Sequence, residues 1–326
     1  MSNFIEHIQI KNFKSIKSAN IEGCKRINLF IGRPNVGKSN ILEALSVFST
    51  PFLKENKSKS ITNLIRLENE TELFYNGNID ETISINTNLG SAKLHYDKNV
   101  GIEIMINTVT GKADYIIDER LNLKSRKNEG YFPIIKKYTF SLQTTFKRAH
   151  SRYLIPPYGY NLLTVIEGHK NLKEDVSYLF KEYNLTLVFD KASQALKIMQ
   201  PEKKEIFLIP YNSIADTLQR IIFFKAAIAS NNDSILLFEE PEAHSFPPYI
   251  THITQEMIYK KDNQFFIATH SPFILNDLLE NSQDELAVFV VDYKRNETKI
   301  KRLSETELHE IYQKGVDLFT NNETYL

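Results

Sequence analysis

The sequence predicts an α/β fold with a mixed central sheet, and three short segments far apart in its 326 residues predict it. Each is an apolar run that ends in chemistry-bearing residues. Ile27 to Ile31 runs into Gly32-Arg33-Pro34-Asn35-Val36-Gly37-Lys38-Ser39. Ser234 to Phe238 runs into Glu239 and Glu240, and Phe265 to Ala268 runs into Thr269, His270 and Ser271. Uncharged strands of this kind belong in the middle of a parallel sheet, where ligands sit at the carboxyl ends.

The first segment fits the phosphate-loop pattern G-x-x-x-x-G-K-[ST] in its required context of strand, glycine loop and helix, because Asn40 to Leu45 reads as helix. Glycines let backbone N–H groups turn inward around phosphate oxygens, and the helix N-terminus adds its partial positive charge. Residues Gly32 to Asn40 are therefore the expected nucleotide-binding stretch. Lys38 is expected to reach the β- and γ-phosphates, and the Ser39 hydroxyl to ligate Mg²⁺. The loop interior is also similar to that of some translation-factor-class GTPases. That alternative needs Asp-x-x-Gly and Asn-Lys-x-Asp, and the chain contains neither.

Adjacent residues on a strand point opposite ways, so Glu239 and Glu240 are expected to do different work. Glu239 suits Mg²⁺, held through water. Glu240 suits a general base that orients and deprotonates the attacking water. His270 suits contact with the γ-phosphate. A carboxylate pair beside phosphates needs a metal to offset the repulsion, so ATP and Mg²⁺ are the expected cofactors.

About two hundred residues separate Ser39 from Glu239. Ring-forming AAA+ ATPases keep these motifs much closer. The long separation, with Ile8-Gln9-Ile10-Lys11-Asn12-Phe13-Lys14-Ser15-Ile16 as opening strand and turn, resembles ABC-type P-loop ATPases of the SMC, RecF and OLD kind. Phe238-Glu239-Glu240-Pro241-Glu242-Ala243-His244 and Ala268-Thr269-His270-Ser271-Pro272 are similar to the OLD-like pattern. The resemblance implies an ABC-type head with a β-rich lobe and a helical lobe. It also implies ATP hydrolysis at a head-to-tail homodimer, or a higher homo-oligomer, completed by a signature helix from the partner. The candidate is Asn212 to Arg220, with Ser213, Asp216 or Thr217 capping a helix that faces the partner's γ-phosphate. It lacks the family glycine, and Glu239 stands where many relatives have Asp. Gln143 is a weak candidate for the glutamine that contacts Mg²⁺ in this group.

The organisation reads as one ATPase domain over residues 1–326. Residues 1–50 hold the first strand, phosphate loop and helix, and 51–130 a β-rich lobe of alternating strands such as Thr82 to Asn86 and Gly101 to Ile106. Residues 131–210 read as an insertion. It has a helix from Asn161 to Tyr183, with Leu163, Ile166, Leu172, Val176, Leu179 and Phe180 inward, then a hairpin of Leu185 to Phe189 and Leu196 to Met199. Residues 211–326 carry the signature-like helix, the carboxylates and the histidine. No heptad run is sustained, so a long coiled-coil arm is not expected. Loop 152–160, rich in Tyr and Pro, reads as packing or partner contact.

Forty basic and forty acidic residues give no net charge, and so no whole-protein attraction to nucleic acid or anionic membrane. Two basic clusters, Lys11, Lys14, Lys17, Lys25 and Arg26, and Lys124, Arg126, Lys127, Lys136 and Lys137, read as solvated faces. A single thiol, Cys24, suits a reducing cytoplasm. No apolar run approaches a membrane span, and the N-terminus does not resemble a signal peptide. The chain stops about fifty residues after His270, too soon for the TOPRIM nuclease of OLD proteins. The resemblance therefore implies a separate effector, a nuclease or toxin, as in anti-phage pairs such as PARIS. A RecF-like ATPase that binds DNA itself is the alternative.

Overall fold

The computed structural model describes residues 4–56, 58–143, 145–181, 183–200, 207–315 and 318–319. The chain opens with a hairpin, β1 (His7–Phe13) and β2 (Ile16–Glu22), then the apolar β3 (Ile27–Ile31) and helix α1 (Lys38–Ser46). A meander follows: β4 (Ile83–Thr87), β5 (Gly90–Asp97), β6 (Gly101–Thr108), β7 (Gly111–Ile117) and β8 (Leu123–Glu129). Next come β9 (Ile135–Tyr138), α2 (Leu162–Gly168), α3 (Lys170–Lys181), and the short strands β10 (Thr186–Asp190), β11 (Ala195–Met199) and β12 (Leu208–Pro210). The last part is α4 (Asp216–Ser230), β13 (Ile235–Glu239), α5 (Pro247–Tyr259), β14 (Gln264–Ala268), α6 (Pro272–Asn281), β15 (Leu286–Lys294), β16 (Glu297–Arg302) and α7 (Glu305–Lys314).

The central sheet has the order β16-β15-β3-β14-β13-β9. All its pairings are parallel except the edge pair β15–β16. The ends of β3, β14 and β13 therefore share one rim. A second, antiparallel sheet runs β2-β1-β4-β5-β6-β7-β8. The β-rich lobe thus takes β1 and β2 from the first fifty residues, and β9 joins the central sheet.

Alternation along the central strands separates two cores. Leu29, Leu236, Phe238, Phe265 and Ile267 face the helical side, whereas Phe30, Leu237, Phe266 and Phe289 face α1 and the antiparallel sheet. Phe30 stacks on Phe289 at 5.1 Å and on Phe266 at 6.3 Å, directly beneath the glycine loop. Burying a ring of this size stabilises by about 2 kcal/mol, so the strand that launches the loop is firmly held.

Two expectations change. The helix over 161–183 is broken: Gly168 ends α2, and His169 turns extended (φ −117°, ψ 100°) before α3 restarts. Glycine is a poor helix residue and a good terminator, and the six inward residues are buried on both pieces. The basic clusters are not wholly solvated. Arg26 is buried and donates to Met257 O at 2.7 Å and to Glu285 Oε2 at 2.7 Å. Lys136 and Lys137 are each 4% exposed on β9. Lys124, Arg126 and Lys127 do lie exposed on β8. Among the described residues, no helix is long and apolar enough to cross a membrane.

Candidate active site

The loop after β3 needs its glycines for space as much as for conformation. Gly37 has φ 100°, and a Cβ there would stand 2.2 Å from Thr298 Oγ1 and 2.7 Å from Ser15 Oγ. Those two hydroxyls brace the loop. Ser15 and Thr298 share a 2.6 Å hydrogen bond, Thr298 Oγ1 donates to Val36 O at 3.0 Å, and Asn40 Nδ2 donates to Ser15 Oγ at 2.6 Å. Ser15 belongs to the opening strand-and-turn segment, but Thr298 lies far from it in sequence and no motif marks it, so only the fold finds the pair. Gly37→Ala is expected to cost about 1–3 kcal/mol of backbone strain and to push the brace apart. A lowered Tm together with weaker nucleotide binding would register this, and an unchanged pair of values would refute it.

Lys38 is buried, and its Nζ donates to Gly32 O at 2.9 Å and to Arg33 O at 2.7 Å, in the concavity where phosphates would sit. Burial pulls its pKa down to about 8, against the opposing pull of Glu240, Glu242 and Glu239. A cleft of about 340 Å³ opens here, lined by Pro34, Asn35, Gly37, Lys38, Ser39 and Asn40 and, across from them, by Glu240 and His270. Arg33 is exposed, and Gly32 and Val36 are buried at the base of the loop.

Glu239 ends β13 on the face that carries α1. Burial raises its carboxyl pKa, but Lys137, the Ser39 hydroxyl and Arg66 outweigh that and hold it below the usual range. Arg66 Nη2 donates to Glu239 Oε1, and Lys137 Nζ stands 3.7 Å from Glu239 Oε2. Glu240 does not continue the strand. It turns into the left-handed region (φ 44°), and its N–H donates to Ala268 O at 2.8 Å. This turn, rather than strand alternation, separates the two carboxylates. His270 Nε2 lies 3.7 Å from Glu240 Oε1. Burial and the Lys38 charge lower the His270 pKa, with Glu240 opposing, so the ring is neutral near pH 7.

Glu242 holds this arrangement from behind. Its Oε1 accepts from Thr269 Oγ1 at 2.7 Å and from the His270 N–H at 2.9 Å, which fixes the turn carrying the histidine. Burial raises its pKa. Ser39 and Glu239 form an adjoining pair of hard oxygen donors, which suits Mg²⁺. The donor set therefore fits Mg²⁺, with the phosphates and water filling the remaining positions.

The signature candidates are placed elsewhere. None of Ser213, Asp216 and Thr217 lines the cleft. None caps a helix either: Ala215 is the N-cap of α4, with no side-chain bond. Asp216 is already helical and pairs with Arg220 one turn on at 2.8 Å, while Thr217 Oγ1 donates to His244 O at 2.9 Å. These partners satisfy the side chains that capping would have used. Gln143 follows β9 on the same rim but lines neither this cleft nor the adjoining one that contains Glu239.

The model of the AAA ATPase domain family matches residues 4–226. Over 96 residues the chain is 32% identical to an ATP/GTP phosphatase of Helicobacter pylori, covering 26% of this chain and 25% of that one. Over 87 residues it is 31% identical to the DNA replication and repair protein RecF of Clostridium beijerinckii, covering 26% and 23%. The chain spans about a quarter of the length of these curated relatives. Among solved structures, an SmcHead bound to the C-winged helix domain of ScpA superposes with a TM-score of 0.51 at 15% identity, covering 94% of this chain and all of that one. An Smc head domain with an extended coiled coil, bound to the C-terminal domain of ScpA derived from Pyrococcus furiosus, gives 0.51 at 13%, covering 95% and 99%. The fold is thus SMC-head-like, and the chain belongs to the AAA ATPase domain family.

Proposed function

We propose that this ATPase is a switch: ATP with Mg²⁺ closes two copies head to tail, hydrolysis reopens them, and the difference controls a separate effector protein, a nuclease or toxin, in bacterial defence against phage. The observation that carries the switch is the exposure of the candidate base. The Glu240 side chain is 50% exposed and that of His270 35%. A hydrolytic centre works best with bulk water excluded, so a second surface must cover this one. Ser213, Asp216 and Thr217, which do not line their own cleft, are the residues we assign to that surface. The start of α4 would then face the partner's γ-phosphate. Within one copy, Gly32 to Asn40 would hold the phosphates and Ser39 with Glu239 the Mg²⁺, which neutralises charge building on the phosphoryl oxygens. Glu240 would take the proton of the attacking water, and His270 would report the γ-phosphate.

A second reading, a RecF-like ATPase acting on DNA, is favoured by the RecF similarities. The exposed basic residues of β8 argue against it. Lys124 pairs with Asp118 at 3.0 Å, Lys127 with Glu129 at 2.6 Å, and Arg126 with Glu103, so little positive charge is left for phosphates.

The test is a pull-down of tagged Glu240→Gln protein, expressed with its native neighbouring genes, with and without ATP and Mg²⁺. A stoichiometric second protein, retained only with ATP, is the expected result. Recovery of DNA instead, with binding that weakens steeply as salt rises, would replace the effector reading with the RecF-like one.

A further inference from the structure

We propose that Lys137 is a positioning residue that makes metal uptake conditional on nucleotide: it is a built-in counter-cation for Glu239 and keeps the empty site from binding a divalent cation alone. The inference rests on the reading of Glu239 as the metal carboxylate.

Lys137 sits on the four-residue strand β9, opposite Leu237 of β13, and so two residues short of Glu239 along the neighbouring strand. Alternation sends it to the α1 side, where Glu239 also points. Its side chain is 5% exposed, its Nζ donates to Leu64 O at 2.7 Å, and it lies 3.7 Å from Glu239 Oε2. An ammonium is costly to bury without a partner, and an apolar residue would fill this strand position at no such cost. The placement therefore has to be explained by the carboxylate it faces.

The wider site repeats the pattern. Glu43 of α1 is fully buried, and it accepts from Lys14 Nζ at 2.6 Å and from the Arg66 N–H and Nε at 3.2 and 3.3 Å. Arg66 also reaches Glu239. Around the cleft stand the carboxylates Glu43, Glu239, Glu240 and Glu242 and the cations Lys14, Lys38, Arg66 and Lys137, of which Lys14, Arg66 and Lys137 stand within ion-pair distance of Glu43 or Glu239. Four charges of each sign leave the empty site balanced. A divalent cation arriving alone would add two positive charges beside an ammonium already committed to its ligand. A nucleoside triphosphate brings negative charge into the same space, and only then is the cation required.

The test uses the full chain without nucleotide, as wild type, K137M and K137R, and titrates Mn²⁺ by the electron paramagnetic resonance signal of the free ion. Thermal melting with Mg²⁺ alone gives a second readout. Wild type and K137R are expected to show little uptake and a flat Tm. K137M is expected to bind one Mn²⁺ at least about tenfold more tightly and to gain Tm with Mg²⁺, and adding E239Q should abolish both gains. K137M behaving as wild type would overturn the inference and leave the Glu239 reading standing. Uptake by K137M that survives E239Q would overturn both. If K137M does not fold, K137Q keeps a donor for Leu64 O without the charge and carries the same comparison.

Discussion

Glu240→Gln is expected to slow ATP turnover about a thousandfold while leaving ATP affinity within a few-fold of wild type. The geometry separates the two quantities. Glu240 is not part of the phosphate loop, and its backbone is pinned to the neighbouring strand by the hydrogen bond from its N–H to Ala268 O. Glutamine has the same length and can occupy the same left-handed position, so the turn should survive. It can still hydrogen-bond a water but cannot take its proton, and the loss falls on the chemical step. A lost general base removes about 10²–10⁴ of the rate, so the middle of that range is the expected outcome. Because the base lies half-open to solvent, a variant that binds ATP and cannot cleave it should also accumulate as a closed pair. Single-turnover hydrolysis, with sedimentation in the presence of ATP, checks both points. Turnover at the wild-type rate would remove Glu240 from the role of base. Slow turnover without pairing would keep the base and remove the dimer.

The legible parts of this site were those in which one stretch of chain carries both the strand and its chemistry. Ile27 to Ile31, Ile235 to Phe238 and Phe265 to Ala268 have no charge to expose, so only a central sheet could accept them, and sheet order then brings their ends together. The antiparallel meander was legible for a similar reason: one face is wet, so alternation survives in the sequence. What sequence hid was support from a distance. Lys136 and Lys137 look like a surface pair because two adjacent lysines usually are one. On a strand covered on both faces they go to opposite sides, Lys136 to Asn231 and Ser234 and Lys137 to Glu239. Ser15 and Thr298 carry hydroxyls that any loop might have, and their value lies in meeting under Gly37. The start of α4 misled for the opposite reason. Ser213, Asp216 and Thr217 are good capping types, but capping is decided by backbone angles and by competing partners. Asp216 bonds Arg220 and Thr217 bonds His244, which leaves Ala215 at the cap.

Lys38→Ala is expected to weaken ATP binding about a hundredfold or more, because it removes the buried cation from a charge pair with phosphate. The wild-type residue should also disclose itself through pH. In the empty site its ammonium is held by two carbonyls, Gly32 O and Arg33 O, with no carboxylate among the described residues in ion-pair contact. Burial therefore lowers its pKa to about 8. For a lysine with a depressed pKa the charged form is lost as pH rises through that value, and the charged form is the one that binds phosphate. ATP affinity should accordingly hold steady below pH 8 and fall above it, approaching tenfold per unit. Linkage requires the converse: ATP must raise the lysine pKa, so binding at pH 8 should draw in about half a proton. Titration calorimetry without Mg²⁺, in two buffers of different ionisation enthalpy, measures that uptake directly. ATP itself is already fully ionised at this pH, which leaves the protein as the source. Lys38→Arg keeps a charge that does not titrate in this range, so it should bind ATP with no proton uptake and with an affinity flat between pH 7 and 9. A wild-type affinity that is equally flat would mean that Lys38 remains charged throughout, and that the carboxylates Glu239, Glu240 and Glu242 outweigh its burial.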